Sequence, residues 1–263
     1  EDFINPATWI PNLTGNTISQ RSATERSTPV VFTGCFTQPD FFLPYMSRNG
    51  AEYDAFYHGI LEDLLANPDQ CIHTVYLRHL NRELPELTTE ELRNVMNKMI
   101  FLDLWIRFTF RGKVIQTLVD ANIPVHCIGA GWETLSVKNK NRLTHTEYSD
   151  TEVCLKAISE AKISLNVMPW FKRGSHDRIY SSMLNGAVCV TDKSRYLTEH
   201  FTDGDLLRYY DLKHLSKLPS IVTGLLESPD TMQQIATRAQ NYAKEHLTWK
   251  QYAERLVPYF SKV

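Results

Sequence analysis

The run of residues best equipped for chemistry is Trp170-Phe171-Lys172-Arg173-Gly174-Ser175-His176-Asp177-Arg178-Ile179-Tyr180. A strand should end at Pro169. A loop with two cations and a glycine follows, and a helix should begin near Ser175, a good N-cap. A helix N-terminus beside cations is a ready anion site, because its first amides are unpaired and its dipole favours negative charge. Arg178 can offer a bidentate fork to phosphate. His176 could donate to a sugar hydroxyl or a phosphate oxygen, and Asp177 could accept from a ribose or sugar hydroxyl. The same run also fits a capped surface helix with a solvated basic loop, and spacing does not separate the two.

Elements must hold that run in place. Short apolar runs predict strands at 30–33, 125–128, 163–167 and 187–190, with shorter candidates at 143–147 and 206–210. Helical periodicity covers 51–66 and a possible continuation over 68–79. A further helix is capped by Thr88 or Thr89 and runs to Phe110, where Gly112 should interrupt it before it resumes to Ala121. Helices are also expected over 152–161, 175–185 (ended by Gly186), 215–226, 231–246 and 249–260. Strands alternating with helices predict an α/β, Rossmann-like parallel sheet with helices on both faces. The helical block at about 51–110 exceeds one crossover and reads as an insertion. Residues 1–28 are rich in Pro, Asn and Ser/Thr and read as a linker or arm from a further N-terminal domain, leaving 29–263 as the folded unit.

Ligands of an open parallel sheet bind beyond the carboxyl ends of its strands. That rule selects Thr33-Gly34, Gly129-Ala130-Gly131-Trp132, the stretch from Asn166 to Gly174, and Thr191-Asp192. Glycine in such turns lets the backbone approach a phosphate closely. Each turn taken singly is also an ordinary βα connection.

Other classes are excluded or weakened. Lys+Arg 28 against Asp+Glu 30 gives a formal net charge of -2, which leaves no electrostatic footprint for nucleic acid. The five cysteines form no CxxC pair and no metal-ligand spacing, so reduced core thiols of a cytoplasmic protein are expected. No apolar run is long enough for a transmembrane segment. GxGxxG, P-loop, HExxH and GxSxG motifs are missing, and no DxD lies on a strand end. Asp150 reads as a helix cap.

An ordered set of motifs adds a resemblance. Ala161-Lys162-Ile163-Ser164-Leu165-Asn166-Val167, Gly174-Ser175-His176-Asp177-Arg178, Asn185-Gly186-Ala187-Val188 and Thr191-Asp192 resemble the CgeB-like bacterial glycosyltransferases. These are similar to the wider group of retaining, two-domain GT-B enzymes. Phe32-Thr33-Gly34, Arg111 to Ile123, Gly129-Ala130-Gly131-Trp132, Leu197 to Gly204 and Thr248-Trp249 fit the same pattern, over roughly residues 29–257.

The resemblance implies the C-terminal half of such an enzyme, binding a nucleotide-diphosphate sugar as donor, with no metal or other cofactor and an acceptor, glycan or protein, still to be identified. By carry-over, Gly34 lies under the phosphates with Arg178 near them, and the region of Glu147 and Tyr148 holds the base. Gly174 to Arg178 hold the diphosphate and sugar, and Thr191 and Asp192 close the sugar side. Gly129, Trp132, Asn166 and Lys172 line the same set of loops. Two glutamates of the wider group align here with Arg173 and Ser181. Ser181 can still hydrogen-bond a ribose hydroxyl, and Arg173 adds attraction for the diphosphate. Arg178, His176 and Asp177 are the expected catalytic set. Two rival readings remain: a nucleotide-sugar epimerase of similar shape, and a degenerate donor-like domain kept as a binding or assembly module.

Overall fold

A computed structural model of the chain describes residues 21–148 and 150–260. Six parallel strands form one sheet: β1 (Thr28–Thr33), β2 (Val125–Ile128), β3 (Leu143–Thr146), β4 (Ala161–Asn166), β5 (Val188–Asp192) and β6 (Arg208–Tyr210). Their order is β3-β2-β1-β4-β5-β6. Val30, for example, pairs with Val125 on one side and Ile163 on the other. Strands covered on both faces read as continuous apolar runs rather than alternating ones, and Val30, Val31, Phe32, Val188, Cys189 and Val190 are all fully enclosed.

Between β1 and β2 lie α1 (Leu43–Ser47), α2 (Ala51–Ala66), α3 (Ile72–Glu83), α4 (Thr89–Lys98) and α5 (Ile100–Asp120). After β3 come α6 (Thr151–Ser159), α7 (Asp177–Leu184), α8 (Arg195–His200), α9 (Leu218–Leu226), α10 (Pro229–His246) and α11 (Trp249–Phe260). Alternate residues of β1 point to opposite faces. Val30 and Phe32 pack in one cluster with Ile106, Val114, Ile115 and Leu118 of α5. Val31 packs on the other face with Ile158 of α6. Helices α2 and α3 contribute Ile60, Leu61, Leu64, Val75 and Leu80 to the α5 cluster, so the helical block shares the core of the sheet.

Several local expectations are met for the expected reason. Thr88 accepts from the Glu91 amide while the Glu91 carboxylate accepts from the Thr88 amide, a capping box at the start of α4. Asp150 caps α6 through the Val153 amide at 2.8 Å. Two expectations are corrected. Gly112 does not interrupt a helix: α5 runs unbroken through it. A Cβ there would stand 3.0 Å from the Phe36 ring and 3.3 Å from Leu135, so the glycine serves close packing. Helix α7 starts at Asp177 with His176 as its N-cap residue, not at Ser175.

Of the expected arm, residues 1–20 lie outside the described residues. Within its remainder, Ala23 and Arg26 are buried, and Arg26 donates to the carbonyls of Ala161 and Asn185 at 3.0 and 2.9 Å. Among the described residues no helix is long and apolar enough to cross a membrane.

Candidate functional site

The strand order reverses between β1 and β4, whose exits lead to opposite sides of the sheet, and a crevice opens at such a switch point. A cleft of about 440 Å³ lies there. Thr33 and Gly34 come to it from β1, Asp150, Thr151 and Cys154 from the start of α6, and His176, Asp177, Arg178 and Ser181 from α7. A second cavity, of about 290 Å³, lies at the opposite ends of the strands around Pro29, Pro124 and His126, and no lysine or arginine lines it.

Arg178 occupies the centre of the crevice. It is 7% exposed and crosses from α7 to the end of β1. Nε donates to the Thr33 carbonyl at 2.9 Å and to Thr33 Oγ1 at 3.1 Å, and Nη1 donates to Asn166 Oδ1 at 2.6 Å. Asn166 is held in turn, its amide nitrogen donating to Thr191 Oγ1 at 2.9 Å and its carbonyl accepting from the Tyr210 hydroxyl at 2.8 Å. The guanidinium carbon sits 4.9 Å from the centre of the Phe32 ring. Nη2 makes no hydrogen bond to the described residues and lies beside Gly34. Burial holds the Arg178 pKa below the usual arginine value.

His176 and Asp177 form a short pair at the start of α7. Nδ1 of His176 lies 2.5 Å from Oδ1 of Asp177. The Arg178 amide reaches both, at 3.2 and 2.9 Å. A contact of 2.5 Å needs a proton between its atoms, which places that proton on the Nδ1 side and leaves the carboxylate as main acceptor for the amide. Burial and the Arg178 charge lower the His176 pKa against the opposing pull of Asp177. The Asp177 carboxyl is held down to about 2; burial opposes this, and the hydrogen bond from His176 with the nearby cations overcomes it. The imidazole is therefore neutral near pH 7, with Nε2 left as an acceptor.

The glycine turns play two different parts. Gly34 lines the cleft, and its amide donates to the Ile128 carbonyl at 2.7 Å. Gly129 lies behind it: a Cβ at Gly129 would stand 2.7 Å from the Gly34 carbonyl carbon, and its φ is +137°. Trp132 is fully enclosed, donates from its indole to the Gly34 carbonyl at 2.8 Å, and stacks on Phe36 at 5.0 Å. Gly129 and Trp132 thus support the Gly34 turn from beneath and do not line the cleft.

The expected sugar-side residues are placed inside the fold. Lys172, 6% exposed, pairs with Asp192, 1% exposed, and also donates to the Lys193 carbonyl at 3.0 Å. Asp192 accepts from the Met168 amide at 2.7 Å. Ser194 donates to the Gly174 carbonyl at 2.5 Å and the Arg195 amide to the Lys172 carbonyl at 2.8 Å. Lys172, Gly174, Asp192 and Ser194 therefore staple the 167–176 loop to the end of β5, while Thr191 holds Asn166 of β4. The Lys172 charge is taken by Asp192, which corrects its expected part as a free cation for phosphate. Asn166 is enclosed as the seat of Arg178, whereas Arg173 is exposed.

Ser181 lies in the cleft one turn beyond Arg178. Glu147 and Tyr148 follow β3 at the surface, Tyr148 donating to Asp150 Oδ2 at 3.1 Å. Glu133, His145 and Glu147 bring ligand atoms within 4.8 Å of one another, the one group among the described residues that could hold a metal ion. It stands at the surface around the end of β3, and none of its three residues lines the cleft.

Sequence reasoning placed Arg111 in a run that fits the family but gave it no part in the site; it is 9% exposed on α5, and its Nη1 donates to the Cys35 carbonyl at 3.0 Å just past Gly34. An arginine within an apolar helical run was the available signal. Sequence reasoning missed Thr151 and Cys154, which carry no motif and reach the cleft only through the packing of α6.

A family model described as glycosyl transferase-like matches residues 111–257, more than half of the chain. The chain belongs to the glycosyl transferase-like family. Solved structures of similar fold include Alr3699/HepE of Anabaena in complex with UDP, at TM-score 0.50 and 9% identity over 89% of this chain and 100% of that one. The same protein with UDP and glucose gives TM-score 0.49 and 12% identity over 90% of this chain and 49% of that one. Sucrose-phosphate synthase of Thermosynechococcus elongatus gives 0.48 and 15% over 58% and 42%. At these identities the likeness is one of fold, and it is the Rossmann-like GT-B fold. The chain spans about half of the structures of Alr3699/HepE with UDP-glucose (45%) and with UDP and glucose (49%). No curated protein sequence matches it significantly. Within this glycosyl transferase-like chain, the matched segment carries Arg111, α6, the 167–176 loop and α7.

Proposed function

We propose that this chain is the donor-binding half of a GT-B glycosyltransferase of the CgeB-like type, moving a sugar from a nucleotide-diphosphate sugar to a glycan or protein acceptor. The observation that carries the reading is Arg178: a buried guanidinium, fixed on three oxygens, with one nitrogen left beside the Gly34 turn at the switch point. A cation held so rigidly in a low-dielectric crevice stabilises charge as it develops on a leaving diphosphate without reorganising. The nucleoside lies toward α6 and Ser181, with a ribose hydroxyl on Ser181 and the base beside Asp150, Thr151 and Cys154. The diphosphate lies over Gly34 and Arg178, and neutral His176 accepts from a donor hydroxyl at Nε2. The reaction proceeds through an oxocarbenium-like transition state with retention, and the positioned arginine takes the place of a divalent metal.

The test is calorimetric titration with UDP, GDP, ADP and dTDP without added metal; UDP comes first because it is present in the Alr3699/HepE structures. One nucleotide should bind selectively and saturably, and Arg178→Ala should abolish that binding. In an assay with an acceptor, the same change should lower turnover by about two orders of magnitude or more, the scale of losing a preorganised donor. Absence of binding by every nucleotide to the folded protein, or full retention by Arg178→Ala, overturns the reading.

A further inference from the structure

We propose that Glu133, His145 and Glu147 form a binding site for a divalent cation of the zinc type, clamping the end of β3 to the turn that leaves β2. Adjacent elements bring the three together. β2 and β3 pair in parallel, Cys127 with His145 and Ile128 with Thr146, so the two strands exit side by side. The Gly129 amide donates to the Thr146 carbonyl at 2.8 Å and holds those exits together. Glu133 projects from the single turn Trp132–Thr134, which is anchored by the Trp132 indole on the Gly34 carbonyl at 2.8 Å. His145 and Glu147 are two residues apart, the spacing that sends the side chains of an extended segment to one face.

One ligand atom from each of the three lies within 4.8 Å of the others. Despite that approach, none of the three side chains makes a hydrogen bond or an ion pair among the described residues. Nδ1 of His145 is enclosed and unpartnered. Two carboxylates thus stand together with no lysine or arginine paired to them, beside an imidazole that bonds to neither. A cation at the centre satisfies all three. Donors stand about 2.0–2.2 Å from zinc, so those of one ion are at most about 4.4 Å apart. The exposed glutamates reach that spacing by small rotations.

The donor set selects the ion. Magnesium and calcium take oxygen ligands, and an imidazole nitrogen is a poor substitute for one. No thiolate is present to favour a soft ion. One nitrogen with two carboxylates suits zinc, balances its charge and leaves a fourth position for water. The ion stands apart from the donor cleft, which none of the three residues lines. Its effect is on the edge of the sheet. β3 is the outermost strand, and Glu147 begins the segment that leads to Asp150, the cap of α6 in the cleft wall.

The test is calorimetric titration of the chelator-treated chain with zinc, with magnesium and calcium in parallel and no nucleotide. Zinc should bind at one ion per chain, more tightly than magnesium or calcium, and should raise the melting temperature. Glu133→Gln, His145→Ala and Glu147→Gln should each weaken zinc binding at least about tenfold, since even groups that only orient a metal ligand cost about 10- to 100-fold. His214→Gln, at a surface histidine paired with Asp211 at 2.8 Å, should leave it unchanged, which separates the site from adventitious surface binding. The two glutamates are exposed, so their variants carry the test if His145→Ala does not fold. Absence of zinc binding overturns the proposal. So does binding that survives all three substitutions, or equal affinity for magnesium and calcium. Because no nucleotide enters the experiment, each of these results leaves the donor reading standing.

Discussion

Replacing Arg111 with methionine should make the ligand-free protein more stable. A guanidinium held at about 9 instead of 12.5 is disfavoured in the fold by roughly 4–5 kcal/mol. At 9% exposure there is little solvent to screen that cost. Because arginine stays charged at neutral pH, the cost is carried as destabilisation rather than relieved by proton loss. Against it stands the charge-assisted bond to the Cys35 carbonyl at 3.0 Å, worth about 1.5–3 kcal/mol. Methionine fills nearly the same volume, so little cavity is left. The net expectation is a gain of about 1–3 kcal/mol, in the range seen when buried ions are exchanged for apolar residues. For a chain of this size that is a rise in Tm of about 2 °C or more. The assay is chemical denaturation with thermal melting. A loss of more than about 1 kcal/mol in the ligand-free protein would refute the argument that Arg111 is an uncompensated cation.

Further outcomes follow from other contacts. Lys172→Met alone should cost about 3–5 kcal/mol, because it strands the buried Asp192 carboxylate. Lys172→Met with Asp192→Asn should recover most of that in denaturant titrations, and strictly additive losses would count against a coupled pair. Gly129→Ala should cost at least about 2 kcal/mol, since its Cβ would stand 2.7 Å from the Gly34 backbone at a φ of +137°. Normal stability with normal nucleotide affinity in that variant would show that the two turns need not touch. His176 should titrate below 6.5 by NMR. Between that lowered value and 6.5 the unfolded chain binds more protons than the folded one, so stability falls as pH drops through this window. Wild type should therefore lose more stability from pH 7 to pH 5 than His176→Asn, and equal losses would contradict a lowered imidazole pKa. The Asp177 contribution, with its carboxyl held down to about 2, is lost only as pH falls below 3.8.

Much of the scaffold was legible because its signals are local. Val30-Val31-Phe32, Val125 to Ile128 and Ile163 to Leu165 are apolar runs with turn residues after them, which is how a doubly covered parallel strand reads. The Thr88–Glu91 capping box and the Asp150 cap were readable because each involves residues three apart. Errors arose where distant residues decide. Gly112 looked like a helix break, yet α5 continues because Phe36 and Leu135 pack against the missing side chain. Lys172 looked like a free cation until Asp192, twenty residues on, was found to take its charge.

The sequence by itself determined the α/β class, the strands, the glycine turns and the loop with Arg178, since these depend on periodicity and on residue types near in the chain. Tertiary structure alone decided which polar residues meet solvent. It set Arg178 on Thr33 and Asn166, enclosed Lys172, Thr191 and Asp192, and put Trp132 beneath Gly34. It also carried Arg111 from α5 to the ring that Arg178 shares, a convergence of residues 67 apart. The physical reason is that charge pairing and burial are set by distances through space, which chain order does not encode.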